Sequence, residues 1–104
     1  MKILFVCSGG LSSQIAVDAL KKEATAKRID IEVKAVGSTE YEQIVNDGFD
    51  AVMVAPQIRH RFDGIKELAD EANVPCALIE PMAYSPLGAP KLLKQLLNLL
   101  EENK

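Results

Sequence analysis

The chain has 104 residues, 48% of them hydrophobic and 26% charged, with a net charge of −3, which bounds it to one globular domain over residues 1–104 with a single core. The acidic balance excludes general nucleic-acid binding, whose affinity comes from a basic face, and no apolar run approaches the ~20 residues that cross a bilayer. Residues 1–6 lack a signal peptide's long apolar stretch, so a cytoplasmic location is expected, with both cysteines as free thiols.

Taken in chain order, apolar runs alternate with segments of helical period. Ile3–Val6 is continuously apolar, as in a strand covered on both faces. After the stretch CSGGLSS (Cys7–Ser13), a helix is predicted from about Ser13 to Lys27, with Ala16, Val17, Leu20 and Ala24 on one face. Ile29–Val36 alternates apolar and polar, which suits an edge strand. A short helix around Tyr41–Val45 is stopped by Asn46–Gly48. Ala51–Ala55 is again apolar throughout and ends at Pro56, and the following helix carries Ile65, Leu68, Ala69 and Ala72 as its stripe. Cys76–Ile79 makes a fourth strand. The last helix has Pro90 in its first turn and turns Leu92, Leu93, Leu96, Leu97 and Leu100 inward.

Alternating strands and helices imply a parallel sheet with helices on both faces and right-handed crossovers. Two strands read as central and two as edges, so the expected order is 2-1-3-4. Ligands of such sheets bind at the carboxyl ends of the strands, where the winding reverses. Here that is between strands 1 and 3, at Cys7–Ser13 and Pro56–His60.

The chemistry of the first loop fits that place. Gly9 and Gly10 let a ligand approach the main chain. A turn of N–H groups leading into a helix N-terminus cradles anions. Ser12 or Ser13 is expected to cap the helix, with the remaining hydroxyls free to donate to an oxyanion. The same positive field favours the thiolate of Cys7, the nucleophilic form. The helix end contributes ~0.3–1 kcal/mol. Each hydrogen bond to a charged acceptor adds about 1.5–3 kcal/mol, so several amides together outweigh the dipole. Phosphatases that use a cysteinyl phosphate resemble C-x5-R, whose arginine clamps the phosphoryl oxygens. Six residues past Cys7 stands Ser13. Without that clamp the loop is suited to carrying a phosphoryl group and poorly equipped to hydrolyse its ester.

Ile3–Ser13, reading I-L-F-V-C-S-G-G-L-S-S, and Ala55–Ile58, reading A-P-Q-I, resemble the lactose/cellobiose enzyme IIB family of the bacterial phosphoenolpyruvate-dependent sugar phosphotransferase system. The resemblance covers essentially the whole chain. It implies that Cys7 accepts a phosphoryl group from a histidine of a IIA component and passes it to a sugar held by the membrane IIC permease. Ser8, Gly9, Gly10, Leu11, Ser12 and Ser13 would form the phosphate loop on an exposed segment that both partners reach in turn. It implies no cofactor, no metal and no insertion into the membrane, only transient residence at its inner face through IIC. A cellobiose-, lactose- or chitobiose-type disaccharide is the expected sugar. Two positions depart from the family's pattern: Gln14 replaces a frequent small hydroxyl residue, and Tyr84 is followed by Ser85 and Pro86 where many relatives have glycine.

Other reactive residues carry less. Cys76 begins strand 4 at the far end of the sheet, beyond the ~7 Å that a disulfide to Cys7 tolerates, and reads as core. His60 lacks companion metal ligands and reads as an exposed residue. Its neighbours Arg59 and Arg61 could attract an acidic, phosphorylated partner or simply be solvated. Gln57 and Tyr84 divide evenly between bordering the site and turn chemistry or packing. Neither Glu80 nor Asp63 is required as a general acid. The alternative reading is a small cysteine phosphatase or arsenate reductase, since flavodoxin-like and low-molecular-weight-phosphatase-like sheets share this architecture. A noncatalytic anion-binding domain is a third.

Overall fold

The computed structural model describes residues 2–7, 11–84 and 86–102. The chain runs β1 (Lys2–Cys7), α1 (Leu11–Ala26), β2 (Glu32–Gly37), α2 (Ser38–Ile44), β3 (Ala51–Val54), a 3-10 helix (Pro56–Arg61), α3 (Phe62–Glu71), β4 (Cys76–Leu78), two 3-10 turns (Pro81–Ala83 and Pro86–Gly88) and α4 (Ala89–Glu102). All strand pairs are parallel, in the order β2-β1-β3-β4. The sequence-based order holds because Ile3–Val6 and Ala51–Val54 are apolar on both faces and must be covered twice, and all eight residues are 0% exposed.

Alternation along the central strands builds two cores. Ile3, Phe5, Ala51 and Met53 pack under α1 and α4 through Ala16, Val17, Leu20, Leu92, Leu93 and Leu96. Leu4, Val6, Val52 and Val54 pack under α2 and α3 through Tyr41, Val45, Ile65 and Ala69. Burying each large aliphatic side chain contributes about 1.5–3 kcal/mol. The two leucine pairs of α4 are therefore central to holding the last helix on the sheet.

Boundaries moved where the chain found local hydrogen bonds that periodicity does not report. The alternating run begins at Ile29, yet β2 begins at Glu32, opposite Lys2. Arg28 adopts a left-handed conformation with φ 59°. Its N–H donates to Thr25 O at 3.0 Å and that of Ile29 to Ala24 O at 2.8 Å, a Schellman cap that uses up the first residues of the run. Asn73, with φ 60°, closes α3 in the same way, Val74 N donating to Ala69 O at 2.8 Å. The expected loop Pro56–His60 is a 3-10 helix kinked at Ile58.

Two buried polar groups on the α2/α3 side make the fold sensitive to alkali. The hydroxyl of Tyr41, which is 0% exposed, donates to the carbonyl of Ile65 in α3. Burial, reinforced by Cys76 and Asp70, holds its phenol well above the usual range. Burial likewise pushes the Cys76 thiol up to about 12, with Lys66 opposing the shift. Well below pH 9 both groups are neutral folded or unfolded, and their stabilisation is complete. As pH rises from 9 toward 12 only the unfolded chain releases these protons, so stability falls. The melting temperature is expected to drop steeply between pH 9 and 11 and more gently in Cys76→Ala. Equal slopes in the two proteins would contradict this assignment.

Candidate functional site

The winding reverses between the two central strands: β1 leads into α1 on one face of the sheet, and β3 leads into α3 on the other. Their carboxyl ends are tied together by the Ala55 N–H, which donates to Val6 O at 2.8 Å. Ile58 N then donates to Ala55 O at 3.1 Å and turns the chain into the 3-10 helix. Cys7, Ala55 and Ile58 belong to one buried cluster. The cysteine segment and the A-P-Q-I segment thus meet at the crevice that topology alone indicated.

Cys7 itself differs from expectation. It is the last residue of β1, in register with Gly37, rather than the first residue of a loop. Its side chain is only 5% exposed, and Sγ donates a hydrogen bond to the carbonyl oxygen of Val36 at 3.5 Å. The expected exposure is corrected by the extra rung of the β1–β2 ladder, which draws the thiol against the edge strand. A backbone carbonyl as thiol partner has no signature in the sequence, because only the strand register decides which carbonyl stands there.

Leu11, Ser12 and Ser13 form the first turn of α1. The helix starts two residues earlier than its apolar stripe indicates, so neither Ser12 nor Ser13 occupies the capping position expected of it. Their amides are instead among the first-turn donors that have no acceptor within an α-helix. Ser8, Gly9 and Gly10 lie outside the described residues, as do the side chains of residues 11–14. Three residues therefore separate the thiol-bearing strand end from the amide-rich start of a 16-residue helix.

Gln57, Arg59, His60 and Arg61 are all exposed on the 3-10 helix after β3, on the α2/α3 flank of the crevice. Asp63 and Glu80 are exposed as well. Tyr84 is half-buried, its ring 6.2 Å from that of Phe5 at an interplanar angle of 33°. This contact folds the segment after β4 back over β1, a return that its sequence does not announce. Cys76 is buried opposite Val52, and no disulfide joins it to Cys7. Among the described residues no three His, Cys, Asp or Glu side chains converge as metal ligands, and no helix is long and apolar enough to cross a membrane.

Comparison with known proteins agrees with this geometry. Residues 2–95 match the family model for the lactose/cellobiose-specific IIB subunit of the phosphotransferase system. The chain is 30% identical over 99 residues to the oligo-beta-mannoside-specific EIIB component of Bacillus subtilis, covering 95% of each protein. It is 28% identical over 85 residues to the lactose-specific EIICB component of Lactococcus lactis, of which it spans only 15%. The cellobiose-specific IIB component of Borrelia burgdorferi superimposes with a TM-score of 0.79 at 29% identity, covering 100% of this chain and 94% of that one. The lactose-specific IIB domain of Streptococcus pneumoniae gives the same TM-score of 0.79 at 21% identity, covering 94% and 95%, and shares the fold. A four-stranded parallel sheet in the order 2-1-3-4, a cysteine at its switch point and a family match over residues 2–95 lead to one conclusion: the chain belongs to the lactose/cellobiose-specific IIB family of the sugar phosphotransferase system.

Proposed function

We propose that Cys7 is a phosphoryl carrier, loaded by a phosphohistidine of a IIA protein and discharged onto a sugar held by a membrane IIC permease. The observation that carries this reading is the position of Cys7, at the carboxyl end of a central strand with three residues between it and the N-terminus of α1. Residues Ser8 to Ser13 would wrap the phosphoryl oxygens, with the first-turn amides of α1 as donors. The chain acts as a single cytoplasmic IIB domain, and the family relationship favours a β-linked sugar of the lactose, cellobiose or chitobiose kind.

Loading begins when the thiol loses its proton to solvent and Sγ turns away from the Val36 carbonyl toward the crevice. The thiolate then attacks phosphorus in line. The S–P bond forms, the P–N bond to the donor imidazole breaks, and the electron pair returns to that nitrogen. Discharge reverses the polarity: a sugar hydroxyl oxygen attacks phosphorus, the thiolate leaves, and the hydroxyl proton passes to a base on the acceptor. A thiolate leaves readily, so the group keeps its transfer potential. Ser13 occupies the place of a phosphatase arginine, which disfavours attack by water.

Two assays test this reading. Incubation with phosphoenolpyruvate, enzyme I, the histidine-containing carrier protein and a IIA component should add one phosphoryl group, read by mass spectrometry. Hydrolysis of p-nitrophenyl phosphate should be negligible. Absence of the adduct beside a loaded donor, or brisk hydrolysis, would reject the carrier in favour of the alternatives.

A further inference from the structure

Two Asp-Gly pairs occur in the chain, Asp47–Gly48 and Asp63–Gly64, and the fold treats them differently. Asp63–Gly64 lies in the first turn of α3, where side chains tilt toward the helix N-terminus, away from the next main-chain nitrogen. Asp47–Gly48 lies in the turn between α2 and β3, with both residues exposed and Gly48 at φ 83°. Among the described residues the Asp47 carboxylate makes no hydrogen bond or ion pair, and the Gly48 N–H finds no acceptor. Gly48 has no side chain to shield its nitrogen, and the space where a Cβ would stand is open. The same turn is gripped from β1. The Lys2 N–H donates to Asp50 Oδ2 at 2.7 Å, and the Lys2 carbonyl accepts from the Asp50 N–H at 2.7 Å. Lys2 Nζ sits 4.8 Å from the centroid of the Phe49 ring and donates to the Asp47 carbonyl oxygen at 3.3 Å. That oxygen belongs to the peptide unit whose nitrogen is that of Gly48. A cation on the oxygen draws electron density from the unit and makes the Gly48 N–H easier to ionise.

We propose that Asp47–Gly48 is a site of self-modification that converts to isoaspartate, with Lys2 as its positioning residue. The Gly48 nitrogen, having given its proton to solvent, attacks Cγ of the protonated Asp47 carboxyl. The N–Cγ bond forms, the bond from Cγ to the hydroxyl breaks, and one water leaves as the succinimide ring closes. Water then adds back. Opening at the new N–Cγ bond restores aspartate, whereas opening at the original peptide bond routes the main chain through Cβ and Cγ. The product carries one extra carbon in its main chain and a free α-carboxylate in place of the carbonyl that Lys2 holds. It is a substrate for methyltransferases that esterify isoaspartyl carboxylates. None of this depends on the carrier reading of Cys7.

The test incubates the full chain at neutral pH, both folded and in urea. Isoaspartate is read by methyl transfer from labelled S-adenosylmethionine with an isoaspartyl methyltransferase, and assigned to its residue by electron-driven fragmentation in the mass spectrometer. In the folded protein Asp47 should convert at least about tenfold faster than Asp63, whose helix must open first, and in urea the two rates should converge. Gly48→Asn, which accepts the same left-handed φ, should largely abolish conversion at Asp47 while the melting temperature stays close to that of the wild type. Lys2→Met should slow conversion roughly three- to tenfold, the worth of one net hydrogen bond, and Lys2→Arg should restore it. A purely structural lysine would have the opposite effect, because a loosened turn reacts faster. Lys2→Gln is a second uncharged variant, and convergence of the Asp47 and Asp63 rates in either one would reveal unfolding. Equal rates at Asp47 and Asp63 in the folded wild-type protein would overturn the site. An unchanged or faster rate in both uncharged, folded lysine variants would overturn the assisted mechanism.

Discussion

Cys7→Ser is expected to abolish the phosphorylated species altogether while leaving the fold intact. The hydroxyl is smaller than the thiol and still donates to the Val36 carbonyl, which Sγ reaches at 3.5 Å, so the end of the β1–β2 ladder loses little. Nucleophilicity is what disappears. A serine hydroxyl is far less acidic than a thiol and so is far less readily converted to the nucleophilic anion, whereas Cys7 needs only to lose its proton to solvent. A serine ester would also be a poor leaving group, so any trace of phosphoserine would block onward transfer. Mass spectrometry after incubation with the loaded donor should show one added phosphoryl group on the wild-type protein and none on Cys7→Ser. A fully loaded serine variant would mean that another side chain carries the group. Far-ultraviolet circular dichroism and the melting temperature, expected to match the wild type closely, separate lost chemistry from lost structure.

Gly88→Ala is expected to give the largest loss of stability from a single added methyl group. The new Cβ would strike the Met82 carbonyl and crowd Ala83 Cα at 2.8 Å. These are backbone atoms that cannot rotate aside, so the two 3-10 turns must separate. Overpacking of this kind costs about 2–3 kcal/mol, or a fall in melting temperature of roughly 10–20 °C for a domain of this size. The matched control is Gly64→Ala, on the exposed face of α3, where an added Cβ meets nothing within 4 Å. There alanine should stabilise the protein by about 0.5–1 kcal/mol through its helix propensity. A melting temperature for Gly88→Ala within about 2 °C of the wild type would show that the turns are not clamped.

How far the site could be read from the sequence depends on which residues are considered. Cys7, Gly9, Gly10 and Pro56–Ile58 were legible because strand-end loops at a topological switch point have a distinctive composition: an apolar run, a turn built from small residues, then a helix. The burial of Cys7 was not legible. Whether a residue is the last rung of a ladder or the first of a loop depends on how far the neighbouring strand extends, and β2 extends to Gly37. Ser12 and Ser13 looked like caps because serine favours that position, yet α1 starts at Leu11, and an amphipathic stripe gives no sign of polar residues added to its first turn. Arg28 gave no warning of a left-handed cap, since arginine is seldom found there, whereas asparagine, the residue at the corresponding position after α3, is better suited to it.

The sequence by itself determined the strand order, the two-layer covering of the sheet and the end of the sheet at which chemistry belongs. Those follow from hydrophobic patterning, which acts locally and repeats: Ile3–Val6 and Ala51–Val54 could only be central, and the leucine stripe of α4 could only face inward. Tertiary structure alone decided what surrounds the thiol. The Val36 carbonyl beside Sγ, the fold of Tyr84 back onto Phe5 and the outward pose of Met82 and Leu87 around Gly88 each join segments distant in the chain. Such contacts are set by register and by close approach of backbones, quantities to which local composition is blind.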